Sequence, residues 1–380
     1  MDMKHILRVE LSQAAIRHNS RVIRDRLGDG VKLCAVVKSD AYGHGIDLLW
    51  PILAEVSDCL AVASAAEAIE LRTLGYEGAL LMLFCARSCG VGSDAVAVLA
   101  ELIRQHVALT VTDPADVELI RLAAAAACSE ALIHVEVDSG MTRSGVSPDH
   151  ARNLLELIRE SEGLRLDGLY TQLAAADDED STASVKQLDI FYIVVNDSSI
   201  NSNVCVHCAN SAAAVTRPET KMDMVRVGLM LYGSRPAPHV APDIELRPVL
   251  RLVSHLMQIH EVSRGTQVGY GLTYTCTRPS RIGLVPGGYG DGYPRALSDT
   301  ACVRVGDTMA PVVGRVSMDQ ISVDLTDVPG AIVGDEVELI SNNAQAPNSA
   351  ANLAAAAGTI PYEILTNMAL CRRMDRVLME

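Results

Sequence analysis

Within its first 235 residues the chain alternates eight short apolar, β-favouring runs with longer segments whose apolar residues recur at helical spacing. The runs are LCAVVK (33–38), CLAVAS (59–64), ALLMLF (79–84), VALTVT (107–112), ALIHVEV (131–137), LDGLYTQL (166–173), VCVHCA (204–209) and MVRVGLMLYG (224–233). Between them, DAVAVLAELIRQH (94–106), PADVELIRLAAAAA (114–127) and HARNLLELIRES (150–161) read as amphipathic helices. Asp94, and Asp113 before Pro114, stand where N-terminal caps are expected. Strands that alternate with helices pair in parallel through crossovers, and eight such units close a barrel. The expected fold is therefore α/β: a (β/α)8 TIM-type barrel over residues 10–238, in preference to an open doubly wound sheet.

After GSRPAPHVAPD (233–243) the rhythm changes. Stretches such as LRLVSHLMQIHEV, ACVRVGD and APVVGRVSMDQISVDL are short alternating strands between Gly, Pro and Asp turns. They predict a second, mostly antiparallel β domain over 239–380, which the N-terminal strand, 1–9, is placed to join. GGYGDG (287–292) matches a dinucleotide pattern only loosely, and hairpin turn chemistry accounts for its glycines.

A net charge of −15 and the lack of any Lys/Arg-rich run argue against nucleic acid and anionic membranes, leaving a small molecule as the expected ligand. MDMKHILRVELSQ becomes polar too early for a secretory signal, and no apolar stretch is long enough to span a bilayer, so the chain reads as cytoplasmic. Its ten cysteines are scattered, as small buried hydrophobes are. CVHC (205–208) has metal-ligand spacing, but on a strand its two thiols face opposite sides, so no metal is expected.

Lys38, Arg143, Gln172 and Ser211 all fall at or just beyond strand C-terminal ends, where barrel enzymes build their sites. A lysine leaving a buried strand is a solvated strand-end cation, a phosphate-binding cation, or an amine that forms a Schiff base. By residue type alone Ser211 reads equally well as a helix cap, and Tyr362 and Met318 as core or interface residues.

The stretch AVVKSDAYGHG (35–45) resembles the pyridoxal-phosphate attachment motif of alanine racemases. Further similar stretches follow in order: VDSGMTRSGV (137–146), GLYTQLAAAD (168–177), ANSAA (209–213), VRVGLMLYG (225–233), VGYGLTYT (268–275), GYGDGYPR (288–295), GRVSMDQ (314–320) and TIPYEIL (359–365). The resemblance implies pyridoxal 5'-phosphate as cofactor, joined to Lys38. It places Tyr42, Ser211 and the backbone at Gly228 and Leu229 around the phosphate, with Tyr362 packed near it and Arg226 at the pyridine nitrogen. It also implies a two-base interconversion of L- and D-alanine, with Lys38 on one face of Cα and Tyr270 on the other. Tyr270 and Met318 would come from the partner in a homodimer, Arg143 would hold the substrate carboxylate, and Asp319 would support the entry region.

Three positions depart from the family pattern. Glu136 stands where a lysine, often carboxylated, orients the substrate-binding arginine; it carries a carboxylate of its own. Gln172 replaces a histidine that packs on the cofactor ring, keeping hydrogen bonding but losing charge and the aromatic face. Ser317 replaces a cysteine. Other readings are a racemase of another small amino acid such as serine, a decarboxylase on the same barrel, and a cofactor-binding homologue with reduced or lost turnover.

Overall fold

Eight parallel strands close on themselves in the structure, a computed structural model that describes residues 6–196, 203–370 and 374–380. An N-terminal strand, β1 (Leu7–Ser12), precedes the barrel strands β2 (Lys32–Val36), β3 (Cys59–Val62), β4 (Leu80–Cys85), β5 (Val107–Val111), β6 (Ala131–Val137), β7 (Leu164–Thr171), β8 (Cys205–His207) and β9 (Met224–Val227). Neighbours pair in chain order, and β9 returns to β2 with Lys32 opposite Met224 and Cys34 opposite Arg226. Every strand run read from the sequence is in the barrel. The cause is visible in β5, which is buried throughout: covered by helices outside and side chains inside, such a strand is apolar on both faces.

Two local expectations change. The helix expected from 94 begins earlier, Gly92–Arg104, with Val91 at the cap position. Asp94 therefore lies in its first turn, where a carboxylate suits the helix dipole without capping it. Asp113 does cap its helix, Pro114–Ala127, accepting from the Ala115 N–H at 2.8 Å. The eighth run is shorter than the sequence suggested: β9 stops at Val227, and Leu231, Tyr232 and Gly233 donate back to the carbonyls of Gly228, Leu229 and Met230. Gly233 has φ +84°, and a Cβ there would lie 2.0 Å from the Arg247 carbonyl oxygen, so only glycine lets the chain turn out of the barrel.

The rest of the chain is mostly antiparallel. Its strands are β10 (Leu250–His255), β11 (Gln258–Val262), β12 (Gln267–Val268), β13 (Tyr274–Thr275), β14 (Ser280–Pro286), β15 (Cys302–Val305), β16 (Thr308–Pro311), β17 (Gln320–Asp324), β18 (Glu336–Ile340) and β19 (Met374–Met379). They form a six-stranded sheet, β16-β15-β18-β10-β1-β19, a three-stranded sheet, β11-β14-β17, and the β12-β13 ribbon. β1 lies inside the larger sheet, antiparallel to β10 and parallel to β19. Its last residue, Ser12, then caps the first barrel helix by accepting from the Ala15 N–H at 3.1 Å. Two short helices, Ala350–Ala357 and Pro361–Thr366, carry the chain back against the turn after β2. Among the described residues no helix is long and apolar enough to cross a membrane.

Candidate active site

The backbone leaves β2 at Val36 and enters an uncommon conformation. Ser39, Asp40, Ala41 and Tyr42, none of them glycine, all have φ between 52° and 56°, a full left-handed turn. Each residue in that region costs about 1–2 kcal/mol for an L-amino acid, so the turn needs outside support. The Ser39 N–H donates to Glu67 at 2.7 Å, and Asp40 accepts from the Ile46 N–H at 2.8 Å while pairing with Arg376 at 2.9 Å. Gly43 packs so closely on the helix Pro361–Thr366 that a Cβ would sit 2.0 Å from the Leu365 carbonyl oxygen. His44 lies stacked on Tyr232 with ring centroids 4.6 Å apart, and burial pushes its pKa down to about 4, so the ring is neutral.

This turn presents Lys38, partly buried. Burial lowers its pKa, the positive charges of Arg143 and Arg226 lower it further, and Glu67 opposes them. A larger fraction of the Lys38 amine is thus unprotonated, and free to act as a nucleophile, at a given pH than of a surface lysine.

Tyr42, on the same turn, meets a second group of hydroxyl and bare backbone at Ser211 and Gly228. Ser211 opens the helix Ser211–Thr216 but does not cap it; Asn210 does, accepting from the Ala213 N–H at 3.1 Å. Ser211 Oγ instead accepts from the Gly228 N–H at 3.0 Å. A Cβ on Gly228 would fall 2.2 Å from the Tyr42 hydroxyl, so the glycine leaves that hydroxyl its place. The Tyr42 ring is held between Tyr232, at 5.1 Å, and Tyr362, at 6.1 Å. Burial raises the pKa of both Tyr42 and Tyr362, the latter to about 12, which keeps them protonated donors. Leu229, next along, is fully buried.

Arg226 is anchored by carbonyl and ring acceptors. One terminal nitrogen donates to His207 Nδ1 at 2.6 Å, and the other to the Thr171 carbonyl at 2.8 Å and to Gln172 Oε1 at 3.0 Å. A guanidinium only donates, so His207 Nδ1 must be the accepting nitrogen and Nε2 carries the proton, which points at His134 Nδ1, 3.0 Å away. Burial and the Arg226 charge push His207 far below the ordinary histidine range. Its ring stacks on Tyr170 at 4.9 Å, and Arg226 lies over the same Tyr170 ring. Sequence reasoning missed His207 and His134. The signal was available: a histidine at an inward strand position two residues from a cysteine that drew attention to metal spacing instead. Cys208 of that pair is occupied by the Thr220 carbonyl, to which its thiol donates.

Glu136, Arg143 and Gln172 line one tight crevice. The segment between Glu136 and Val146 folds back on itself, Asp138 accepting from the N–H groups of Gly140, Met141 and Thr142. Glu136 is buried and accepts from Ser144 Oγ at 2.8 Å, so its link to Arg143 runs through the neighbouring residue of the loop. Burial raises the Glu136 pKa; Ser144, Arg226 and Arg143 act against that rise.

Tyr270 and Met318 stand apart from this group, on the β domain, 73% and 54% exposed. Tyr270 opens a short turn between glycines, with the Arg315 guanidinium 3.3 Å from where a Cβ on Gly271 would be. Gly290 N–H donates to the Met318 carbonyl, and Gly287 N–H to that of Asp319, which ties these residues to the loop carrying Tyr289. Among the described residues no hydrogen bond, ion pair or ring contact joins Tyr270 or Met318 to Lys38, Tyr42 or Arg226. The roomier clefts, about 690 and 610 Å³, lie along the linker near Arg235 instead.

The architecture and these residues have counterparts among known proteins. Residues 11–236 match the family model for the alanine racemase N-terminal domain, and residues 249–378 that for the C-terminal domain. An alanine racemase from Desulfovibrio desulfuricans is 36% identical over 376 residues, 98% of this chain and 97% of the relative, and one from Syntrophobacter fumaroxidans is 37% identical over 94% and 93%. The crystal structure of alanine racemase from D-cycloserine-producing Streptomyces lavendulae superposes with a TM-score of 0.92 at 31% identity, covering 100% of this chain and 98% of that one. The biosynthetic alanine racemase of Pseudomonas aeruginosa gives 0.86 at 34% identity, with both chains fully covered. Both halves of the chain and nearly its whole length carry the likeness, so this protein belongs to the alanine racemase family.

Proposed function

We propose that the protein interconverts L- and D-alanine in the cytoplasm, using pyridoxal 5'-phosphate held at Lys38. The observation that carries this reading is the partly buried Lys38 amine, its pKa lowered beside Arg143 and Arg226, next to the Tyr42, Ser211 and Gly228 cradle. These residues fit the cofactor: an amine for its aldehyde, hydroxyls and backbone at Gly228 and Leu229 for its phosphate, Tyr362 packed alongside, and Arg226 for its ring nitrogen. When bound, the cofactor supplies an electron sink that makes the Cα hydrogen of an attached amino acid acidic.

Arg226, which does not give up its proton, would face the ring nitrogen only as a donor and so would moderate that sink. Arg143, steadied by the Glu136–Ser144 contact, binds the substrate carboxylate. Lys38 takes or returns the Cα proton on one face. Tyr270 serves the other face and reaches it from a second copy of the chain, together with Met318 and with support from Asp319. Two bases on opposite faces invert Cα without turning the substrate. The exposure of Tyr270, Met318, Leu272 and Tyr289 supports that arrangement, because an apolar and aromatic band of this kind is expected at a protein interface. The Arg315 guanidinium lies beside the turn that carries Tyr270.

The test is exchange of the Cα hydrogen in heavy water, followed for L- and D-alanine, L- and D-serine and larger amino acids. Exchange and inversion fastest with both alanine enantiomers are expected; no exchange with any of them, while the cofactor is bound, refutes the proposal. Shared sites are tested by mixing the Lys38→Ala and Tyr270→Phe proteins under dissociating conditions. A two-fold assembly restores one intact site per mixed dimer, roughly a quarter of wild-type activity; no recovery, with mixed dimers demonstrated, excludes Tyr270 acting across the interface.

A further inference from the structure

A second piece of chemistry is built into the barrel wall below Lys38. The pairing of β2 with β3 sets Cys34 directly opposite Cys59, and the pairing of β2 with β9 sets Cys34 opposite Arg226. Residues in register on neighbouring parallel strands point to the same face about 4.8 Å apart. A disulfide spans Cα separations of about 4.4–6.8 Å. The two side chains therefore face each other across the strand pair, and the Cys59 thiol donates to Met224 Sδ at 3.5 Å. Cys34 is buried, whereas Cys59 is partly exposed, so one member of the pair is reachable from solvent and the other is not.

We propose that Cys34 and Cys59 are a modification site, a reversible disulfide made by peroxide and removed by thiols, which lowers turnover. The effect on turnover rests on the racemase reading above. In the first step the Cys59 thiolate attacks peroxide; the O–O bond breaks, one oxygen becomes Cys59–SOH, and the other leaves as water or hydroxide. In the second, Cys34 attacks that sulfur; the S–O bond breaks, the S–S bond forms and water departs. Two thiols thereby lose two electrons, which reduce one peroxide. A small-molecule thiol reverses the bond by exchange through a mixed disulfide.

The consequence for the site follows from position. Closing the bond brings two sulfurs to about 2.05 Å, which draws β2 toward β3 on the interior face. Lys38 lies four residues along the same chain segment from Cys34, and Arg226 flanks Cys34 on the other side. Both groups then shift relative to each other, and misplacement of about 1 Å in a positioned group costs up to about 10²-fold in rate.

The experiment treats the whole cofactor-loaded protein with hydrogen peroxide, blocks free thiols, and maps cross-linked peptides by mass spectrometry while activity is followed. Expected are a peptide pair containing Cys34 and Cys59, a fall in activity of about tenfold or more, recovery with dithiothreitol, and resistance of Cys59→Ala to both changes. A link to Cys205 instead, no link at peroxide levels that inactivate the protein, a 34–59 link without loss of activity, or equal inactivation of Cys59→Ala each overturns the proposal. Cys59→Ser is the second variant if the alanine form folds poorly. The peptide map is independent of turnover: absence of racemisation in the fully reduced protein would count against the racemase reading, not against the linkage.

Discussion

Replacing Gly228 with alanine tests the cofactor cradle at its tightest point. The added Cβ would lie 2.2 Å from the Tyr42 hydroxyl and 2.6 Å from its Cζ, while the Gly228 N–H already donates to Ser211 at 3.0 Å. The backbone cannot retreat without losing that bond. Tyr42 cannot retreat either, because its buried ring is packed between Tyr232 and Tyr362. Overpacking of this kind costs about 1–3 kcal/mol, and if it falls on the loaded geometry it weakens cofactor affinity about 5- to 150-fold. The assay is titration of cofactor-free protein with pyridoxal phosphate, read by visible absorbance, alongside thermal melting. Tyr42→Leu alone removes a phosphate donor and should also weaken affinity, and the double variant should lose less than the two single losses combined, since residues in contact couple non-additively. Affinity within about twofold of wild type, or a lowered melting temperature with affinity unchanged, refutes the role assigned to this glycine.

Glu136→Ala removes the acceptor that holds the exposed Ser144 beside Arg143; at about 0.5–1.5 kcal/mol for the net loss of one hydrogen bond, KM for alanine rises while kcat changes less, and Glu136→Gln falls between. The lowered Lys38 pKa predicts that the rate at which cofactor-free protein captures pyridoxal phosphate rises with pH through an inflection below 10.5, the ordinary lysine value. An inflection at or above that value contradicts the effect assigned to burial of the amine and to the charges of Arg143 and Arg226. Gln172→His keeps an acceptor for Arg226 and adds a group that titrates between about pH 5 and 8; its kcat/KM profile should gain an acid limb there that the wild type lacks.

Barrel strands were readable because they are largely covered on both faces and therefore mostly apolar, most fully in β5. The membership of β1 in the distant sheet was harder, since its partners, β10 and β19, lie more than two hundred residues away along the chain. Asp94 misled because a residue type suited to capping is equally suited to a first turn, and position by one or two residues decides which. At Ser211 the cap reading gave way only when Asn210 took the cap and the Gly228 N–H donated to its hydroxyl. His207 escaped because its partner Arg226 stands on the next strand, nineteen residues on, and strand adjacency rather than spacing brings them together. The backbone at 39–42 was not readable at all: those residues prefer right-handed or extended conformations, and contacts from the far end of the chain override the preference.

The left-handed turn makes the lysine's placement conditional. Four residues at about 1–2 kcal/mol each amount to about 4–8 kcal/mol, comparable with the entire stability of many domains at about 5–15 kcal/mol. Arg376 and the helix Pro361–Thr366 press on that turn from the opposite end of the sequence. A barrel cut free of its last twenty residues would therefore keep its strands yet let the segment after β2 relax to an ordinary loop, carrying the amine away from the cradle. The C-terminus acts in this protein as a latch on its chemistry, so loss of a few terminal contacts should resemble an active-site mutation more than a truncation.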